Sequence, residues 1–161
     1  MKKITMIAAA VLACAMLAGC GGKTTSDSSS ASSAVSSTKT AAERTQAVLD
    51  GVQLPEMVEV SSDRLMMYYK IDESTVSEFS AYICGSGAMP DEFGCFVFND
   101  SDAAAAGKEA IEARVEKQRS TYADYTPDEM YKFDDYFVSQ SGNTVIYAVC
   151  ADNTAAKEAL G

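Results

Sequence analysis

The alternation of apolar and polar residues predicts four β-strands. Leu65 to Ile71 alternates in this way, and residues 93–98 form a run of aromatic and β-branched side chains. Two further runs flank Ser141-Gly142-Asn143, which is typical of the tight turn in a β-hairpin. The predicted strands are residues 65–71, 93–98, 136–140 and 144–150.

Apolar residues three and four positions apart predict the helices. The longest runs from about Asp102 to Tyr122 with Asp100 or Ser101 as its N-cap, and its buried stripe includes Ile111 and Val115. The predicted helices are residues 41–52, 74–84, 102–122 and 154–160, with one further helical turn before Tyr131.

These elements predict one α+β domain over residues 42–161, in the order β-α-β-α-β-β-α, after the helix 41–52. Its four-stranded sheet is mainly antiparallel and is packed by helices. Strands 93–98 and 144–150 are apolar on both faces, whereas a sheet with one solvated face would alternate with polar residues. The second face must therefore be covered by the segment 41–60, by a second copy of the chain or by a partner.

The N-terminus has the features of an export signal. Lys2 and Lys3 precede fifteen largely apolar residues, fewer than the ~20 that a membrane-spanning helix requires. The segment closes on Leu17-Ala18-Gly19-Cys20, which resembles the lipobox of bacterial lipoproteins. The alternative is an ordinary signal peptide with a chance cysteine.

The lipobox resemblance implies cleavage between Gly19 and Cys20 and acylation of the Cys20 thiol. Residues 1–19 would then be a lipoprotein signal peptide, and a lipid-modified Cys20 would carry the two acyl chains, such as palmitate, that stable anchoring requires. We therefore expect the protein at the cell membrane, lipid-anchored on the extracytoplasmic face.

Residues 20–41 are predicted to form a disordered linker. Between Thr24 and Thr40, twelve of seventeen residues are Ser or Thr. Such a stretch cannot bury enough apolar area to offset its conformational entropy. About 20 flexible residues span about 25 Å, so the linker would hold the domain within a few nanometres of the membrane. A glycosylated stalk is the alternative interpretation.

The charge balance and the missing histidines exclude several functions. The chain has 13 basic and 23 acidic residues, a net charge of −10, and no histidine. Nucleic-acid binding needs clustered Lys and Arg, so we expect no nucleic-acid partner. Histidine-based triads and HExxH zinc sites are excluded. We expect no catalytic residues, no metal site and no cofactor.

Two groups of residues leave alternatives open. Cys84, Cys95 and Cys150 are interpreted as buried, unreactive thiols, with a Cys84–Cys95 disulfide as the alternative. Adjacent acidic residues at 72–73, 91–92, 128–129 and 134–135 would suit glycoside hydrolysis only across a cleft, and helix capping or solvent exposure is favoured.

The aromatic residues of the domain are mostly expected in its core. The alternative is that they line a peptide or glycan groove, because a tyrosine ring can pack while its hydroxyl stays in water. The residues concerned are Tyr68, Tyr69, Tyr82, Phe96, Phe98, Tyr122, Tyr125, Tyr131 and Tyr136.

Several spaced motifs resemble one family. They are Tyr69-x-Ile71-Asp72, Asp91-Glu92, Gln118 with Tyr125-x-Pro127-x-Glu129, and Gly142-Asn143. In this order, and behind a lipobox, they resemble the lipoproteins with domain of unknown function 4358, found mostly in Gram-positive Firmicutes. The resemblance covers about residues 50–155 and implies an extracytoplasmic lipoprotein without an assigned activity.

The sequence thus predicts a non-enzymatic, membrane-anchored binding or accessory module of the cell envelope. Its expected partners are membrane lipid, through acylated Cys20, and an envelope protein or glycan. The alternative is a small-ligand receptor or an accessory lipoprotein of a transporter. The ligand-binding residues are left open at this point.

Overall fold

A computed structural model describes residues 39–161. The predicted signal peptide 1–19, the lipidation site at Cys20 and residues 20–38 of the predicted linker lie outside the described residues. Ala41, which the sequence placed both at the end of the linker and at the start of the predicted helix 41–52, is the first residue of a helix. Thr40 caps this helix, because its side chain accepts a hydrogen bond from the backbone N–H of Glu43, whose carboxylate accepts one from the N–H of Thr40.

Residues 39–161 form four α-helices and five β-strands. The helices are α1 (Ala41–Gly51), α2 (Leu65–Tyr68), α3 (Ser101–Tyr125) and α4 (Asn153–Leu160). The strands are β1 (Met57–Glu59), β2 (Val76–Cys84), β3 (Glu92–Phe98), β4 (Phe137–Ser141) and β5 (Thr144–Val149). Short 3₁₀ helices cover Ser62–Arg64, Glu73–Thr75 and Pro127–Phe133.

The domain is α+β, as predicted, but its sheet differs in detail. It has five strands in the order β1-β2-β3-β5-β4, not four, and every neighbouring pair is antiparallel. The extra strand, β1, pairs Met57 with Cys84. It has only three residues, and their polar and apolar side chains are half-buried or exposed, so its sequence carries no strand pattern.

The predicted strand at residues 65–71 is wrong. Residues 65–68 form α2, and the N–H of Tyr69 donates to the carbonyl of Leu65 at 2.8 Å. Leu65 and Tyr69 are buried one helical turn apart, whereas Met67 between them is 61% exposed. The apparent alternation treats Met67 as a residue that faces the core. The residues that do face the core, Leu65 and Tyr69, are four positions apart, which is the spacing of a helix and not of a strand.

The predicted helix at residues 74–84 is also wrong, because most of this segment is β2. Val76, Phe79 and Ile83 have helical spacing, but the register against β3 shifts between Val76 and Glu78. That irregularity breaks the period of two that identifies a strand. The order β-α-β-α-β-β-α is therefore replaced by α-β-α-β-β-α-β-β-α, counting α-helices and strands.

The remaining elements agree with their predictions. Asp100 caps α3 by accepting hydrogen bonds from the N–H groups of Asp102 and Ala103, and the helix continues three residues beyond Tyr122. Strands β3, β4 and β5, the hairpin at Gly142 and the final helix lie where the pattern placed them. The residues of the predicted α3 stripe, Ala104, Ile111, Val115 and Tyr122, are all buried.

Both faces of the sheet are covered within the same chain. On one face, α3 and the segment from Val60 to Ile71 pack against side chains that include Phe96, Phe98 and Tyr147. On the other face, α1 and α4 pack against side chains that include Phe93 and Cys95. The prediction that the segment 41–60 could cover the second face is confirmed for α1. A fragment of residues 21–161 contains every described core contact, since both clusters lie between Ala41 and Leu160.

Helix α3 approaches the sheet closely at a glycine. A Cβ atom added to Gly107 would lie 2.0 Å from Cζ of Phe98. Phe98 is 1% exposed, so its ring fills the space that any larger residue at position 107 would need.

We expect overpacking in Gly107→Ala to cost about 2–3 kcal/mol, the upper part of the usual range, because the added Cβ overlaps three atoms of the Phe98 ring. This loss opposes the gain of about 1 kcal/mol that alanine has over glycine within a helix. Gly51→Ala is the matched control, because no atom lies within 4 Å of its added Cβ. Urea unfolding of the 21–161 fragment measures both changes, and equal stability of Gly107→Ala and the unchanged fragment would contradict the prediction.

Candidate functional site

A groove follows α3 on the face of the sheet opposite α1 and α4. Its central cavity, which we call the Arg114 cleft, has a volume of about 340 Å³. A second cavity of about 420 Å³, the Glu92 cavity, shares Tyr68, Arg114 and Gln118 with the cleft. A third, of about 200 Å³, shares Lys70 and Ala110. The Arg114 cleft therefore adjoins both of the other cavities, and we call the three together the α3 groove.

Small residues on α3 form one wall of this groove. The opposite wall is the segment that runs from Met67 to Thr75. The lining positions on α3 extend from residue 103 to residue 122, which at 1.5 Å per residue is about 28 Å. The small lining residues are Ala103, Ala106, Gly107, Ala110 and Ala113.

Arg114 connects the elements around the cleft. Its Nε and Nη2 both donate to Oε2 of Glu92, at 2.9 and 2.5 Å, and its Nη1 donates to the carbonyl of Tyr68 at 3.1 Å. The guanidinium carbon also lies 5.4 Å from the ring centroid of Tyr68 and 4.8 Å from that of Tyr69. One side chain of α3 thus binds the start of β3 and the C-terminal end of α2.

The Glu92 carboxylate is only partly paired. Both hydrogen bonds from Arg114 go to Oε2, and Oε1 is buried without a hydrogen-bond partner among the described residues. Burial raises the pKa of the Glu92 carboxyl, and the charge and hydrogen bonds of Arg114 oppose that rise. Glu92, whose Oε1 is a buried acceptor without a partner among the described residues, is one of the residues that line the Glu92 cavity.

The neighbouring Asp91 belongs to a separate ion pair. Its Oδ2 lies 2.6 Å from Nζ of Lys132, which lies 2.6 Å from a carboxylate oxygen of Glu129 as well. The Lys132 side chain is 5% exposed. Burial lowers the pKa of Lys132, but the hydrogen bonds with Asp91 and Glu129 outweigh it and the net change is upward. This cluster fixes the 3₁₀ helix after α3 to the start of β3.

Two lysines lie beside Arg114 in the cleft lining. Lys70 and Lys117 are exposed, and neither forms an ion pair with any residue between 39 and 161. Lys70 also has a φ of 60°, an uncommon conformation for a residue other than glycine. In a chain with a net charge of −10, the Arg114 cleft is a local concentration of positive charge.

The expectation that the aromatic residues lie mostly in the core is confirmed only in part. Tyr125 and Tyr131 are exposed, and the half-buried residues are Tyr68, Tyr82 and Tyr136. The buried ones are Tyr69, Phe96, Phe98 and Tyr122. Phe96 and Phe98 are buried, and the hydroxyls of Tyr69 and Tyr147 share a hydrogen bond of 2.6 Å in the interior. Tyr68, by contrast, is half-buried and lines both the Arg114 cleft and the Glu92 cavity. The groove alternative therefore applies to Tyr68, and the buried Tyr69, Phe98 and Tyr122 are the other aromatic residues of the set that line the groove.

The three cysteines of the domain are buried and unbridged, as favoured, so the Cys84–Cys95 disulfide is not formed. Burial raises the pKa of Cys95 and of Cys150 to about 11, which keeps both thiols protonated near neutral pH. No group of three or more Cys, Asp or Glu side chains within residues 39–161 is arranged to hold a metal ion.

The structure brings together several motif residues that are far apart in sequence. Tyr69 and Gln118 line the Arg114 cleft, and Glu92 is paired with Arg114. Tyr125 is exposed at the end of α3, and Gly142 forms the hairpin turn with a φ of 58°. The motifs therefore divide between one groove and the turns that shape the fold.

Sequence reasoning missed Arg114. It lies three residues after Ile111 and next to Val115, so its spacing places it beside the buried stripe of α3. A charged residue at such a position needs a partner, and the Asp91-Glu92 pair at the start of a buried strand was available to supply one.

Comparison with known proteins places the chain in one family. The model of the family described as "Domain of unknown function (DUF4358)" matches residues 50–150. The chain belongs to this family. No curated protein and no solved structure matches the chain. The matched range includes α2, β3 and α3, the elements that build the groove.

No helix within residues 39–161 is both long enough and apolar enough to cross a membrane.

Glu92→Gln should destabilise the domain by about 3 kcal/mol, because it leaves the buried Arg114 charge without its partner. The matched control is Glu112→Gln, which removes the half-exposed pair with Lys108 and should cost less than about 0.5 kcal/mol. Denaturant unfolding of both variants measures the difference. Similar losses in the free energy of unfolding would contradict the prediction that the buried pair contributes more to stability.

Proposed function

We propose that this protein is a membrane-anchored, extracytoplasmic lipoprotein whose domain is a non-catalytic binding module of the cell envelope. The partner is a protein segment that lies in the α3 groove. The observation that carries the proposal is the groove itself, about 28 Å long, with small residues on one wall and cations at its centre.

The anchor part of the proposal is supported by the N-terminal sequence. Two lysines, an apolar run too short to span a membrane and Leu17-Ala18-Gly19-Cys20 follow one another in the order of a lipoprotein signal. The Ser- and Thr-rich residues up to Thr40 then supply a tether. A lipid on Cys20 would keep the groove close to envelope partners.

The non-catalytic part is supported by what the acidic residues do. Asp72 accepts a hydrogen bond from the N–H of Ser74, Asp91 pairs with Lys132, and Glu92 pairs with Arg114. Asp135 accepts a hydrogen bond from the side-chain amide of Asn153. These carboxylates maintain the fold, and the two most buried ones bind different cations.

A small-ligand receptor, or an accessory lipoprotein of a transporter, is the second candidate. The size of the Arg114 cleft favours it, because about 340 Å³ lies within the range of small-molecule sites. Ligands that bind only the folded state raise its melting temperature, so a thermal screen with sugars, amino acids and peptides distinguishes this candidate.

Replacing the proposed lipid attachment residue tests the anchor. The full chain, expressed in a Gram-positive host, should incorporate radiolabelled palmitate and sediment with membranes, and Cys20→Ser should abolish both. Cys14→Ser is the control, since Cys14 lies within the apolar run and should be removed with it. A Cys20→Ser chain that is still processed and still sediments with lipid would overturn the lipoprotein proposal.

Photo-crosslinking in intact cells tests the groove. A photoreactive residue replaces either Met67, which is exposed at the Arg114 cleft, or Glu158, which is exposed on α4. We expect a protein adduct of defined mass from position 67 and none from position 158. Adducts of equal yield from both positions, or from position 158 alone, would exclude the groove as the binding surface.

A further inference from the structure

Three cations surround the Arg114 cleft, and within residues 39–161 only one of them is paired. Arg114 is bound to Glu92, whereas Lys70 and Lys117 have no acidic partner among residues 39–161. The cleft lining contains no Asp or Glu. Long-range attraction therefore favours a negatively charged ligand at this point of an otherwise acidic protein.

Arg114 can still donate hydrogen bonds. A guanidinium has five N–H bonds, and three of those of Arg114 are used, by Glu92 and by the carbonyl of Tyr68. One N–H on Nη1 and one on Nη2 are engaged by neither Glu92 nor Tyr68, and the hydroxyl of Tyr69 competes with a ligand for one of them. A carboxylate accepts such donors well, and charge-assisted bonds of this kind are among the strongest that proteins form.

The cleft also offers an apolar surface. Ala110 and Ala113 on α3 face Met67 and the ring of Tyr68 across the cavity. Met67 is 61% exposed although its side chain is apolar, and thioether side chains adapt to partners of different shape. An apolar side chain of a ligand would be buried here.

A buried acceptor lies on the other side of Arg114. Oε1 of Glu92 has no hydrogen-bond partner among the described residues, and the Glu92 side chain is 2% exposed. Glu92 and Arg114 both line the Glu92 cavity, which adjoins the cleft. An unsatisfied buried acceptor is costly, so a ligand whose N–H reached Oε1, after the side chains that cover it shifted, would gain affinity.

We infer that the α3 groove binds the C-terminal end of a protein whose last residue is apolar. This inference rests on the proposed function and specifies its partner. A C-terminal residue carries all three complementary groups at once: a carboxylate for Lys70, Arg114 and Lys117, an apolar side chain for the cleft, and a backbone N–H for Glu92. An internal Asp or Glu lacks the apolar side chain, and a fatty acid lacks the N–H.

Peptide titrations with the ¹⁵N-labelled 21–161 fragment test this inference. The probes are four N-acetylated tetrapeptides that end in Ala, Val, Leu or Phe with a free carboxylate, the same peptides as C-terminal amides, and hexanoate. At least one free-carboxylate peptide should shift the NMR signals of residues 67–70 and 110–118. Its amide should bind about tenfold more weakly, and so should hexanoate, since each lacks one of the complementary groups.

Charge removal provides the second readout. The double variant Lys70→Gln/Lys117→Gln should weaken the best peptide by about tenfold and leave binding of its amide unchanged. Lys157→Gln, on α4, is the control and should change neither. Because all three lysines are exposed, these variants should fold, and their unligated spectra verify it.

The outcomes separate the inference from the proposed function. Equal binding of acid and amide, equal binding of hexanoate, or no binding by any peptide would overturn the C-terminal inference. If a crosslink from position 67 is nevertheless found in cells, the groove stays a binding surface with another ligand. If neither peptides nor crosslinks involve the groove, both proposals fail.

Discussion

The ion pair of Arg114 with Glu92 determines how the groove is built. Arg114 belongs to α3, Glu92 begins β3, and the carbonyl of Tyr68 accepts a further hydrogen bond from the same guanidinium. The C-terminal end of α2 and the segment that follows it are thus held at the distance of an arginine side chain from α3. If this segment packed directly on Ala110 and Ala113, the cleft would be closed. Burying the Arg114–Glu92 pair costs desolvation free energy. The pair nevertheless keeps the apolar surface of the cleft open to solvent.

The two-sided sheet explains why the groove lies where it does. On the face away from α3, the N–H of Ala41 donates to Oε1 of Glu78 at 2.7 Å, and the hydroxyls of Thr45 and Ser80 share a buried hydrogen bond of 2.7 Å. These polar contacts fix the position of α1 on β2. Helices α1 and α4 cover that face of the sheet. The face beside α3 still has an open groove, because the residues of α3 that line it have small side chains.

Sequence patterns identified the helices and strands in which the spacing of apolar residues is regular. Strands β3 and β5 are apolar on both faces, α3 has a regular stripe and a good N-cap, and the hairpin turn has its glycine, so local chemistry and tertiary packing agree. The elements that the sequence patterns missed or assigned wrongly lie between residues 57 and 84. There, β1 is three residues long, Met67 is apolar but exposed, and the irregular pairing near Ser77 hides the strand period.

The candidate site was only partly visible in the sequence. The family motifs named Tyr69, Glu92 and Gln118, which the fold brings to one groove. They did not name Arg114, because its role depends on a contact with a residue 22 positions away. Pattern reasoning along a single helix shows which face is buried, but it does not show which charge on the border of that face finds a partner in another element.

The backbone at Lys70 adds a physical argument for the cleft. Its φ of 60° falls between Tyr69 and Ile71, both buried in the core cluster below α3. A left-handed conformation at a residue other than glycine costs about 1 kcal/mol or more, and it persists because the flanking side chains are fixed. With both neighbours directed into the core, the lysine side chain is turned outward to the cleft lining. The packing of two core residues thus places a positive charge beside Arg114, and the acidic surface elsewhere makes that charge the preferred approach for an anionic partner.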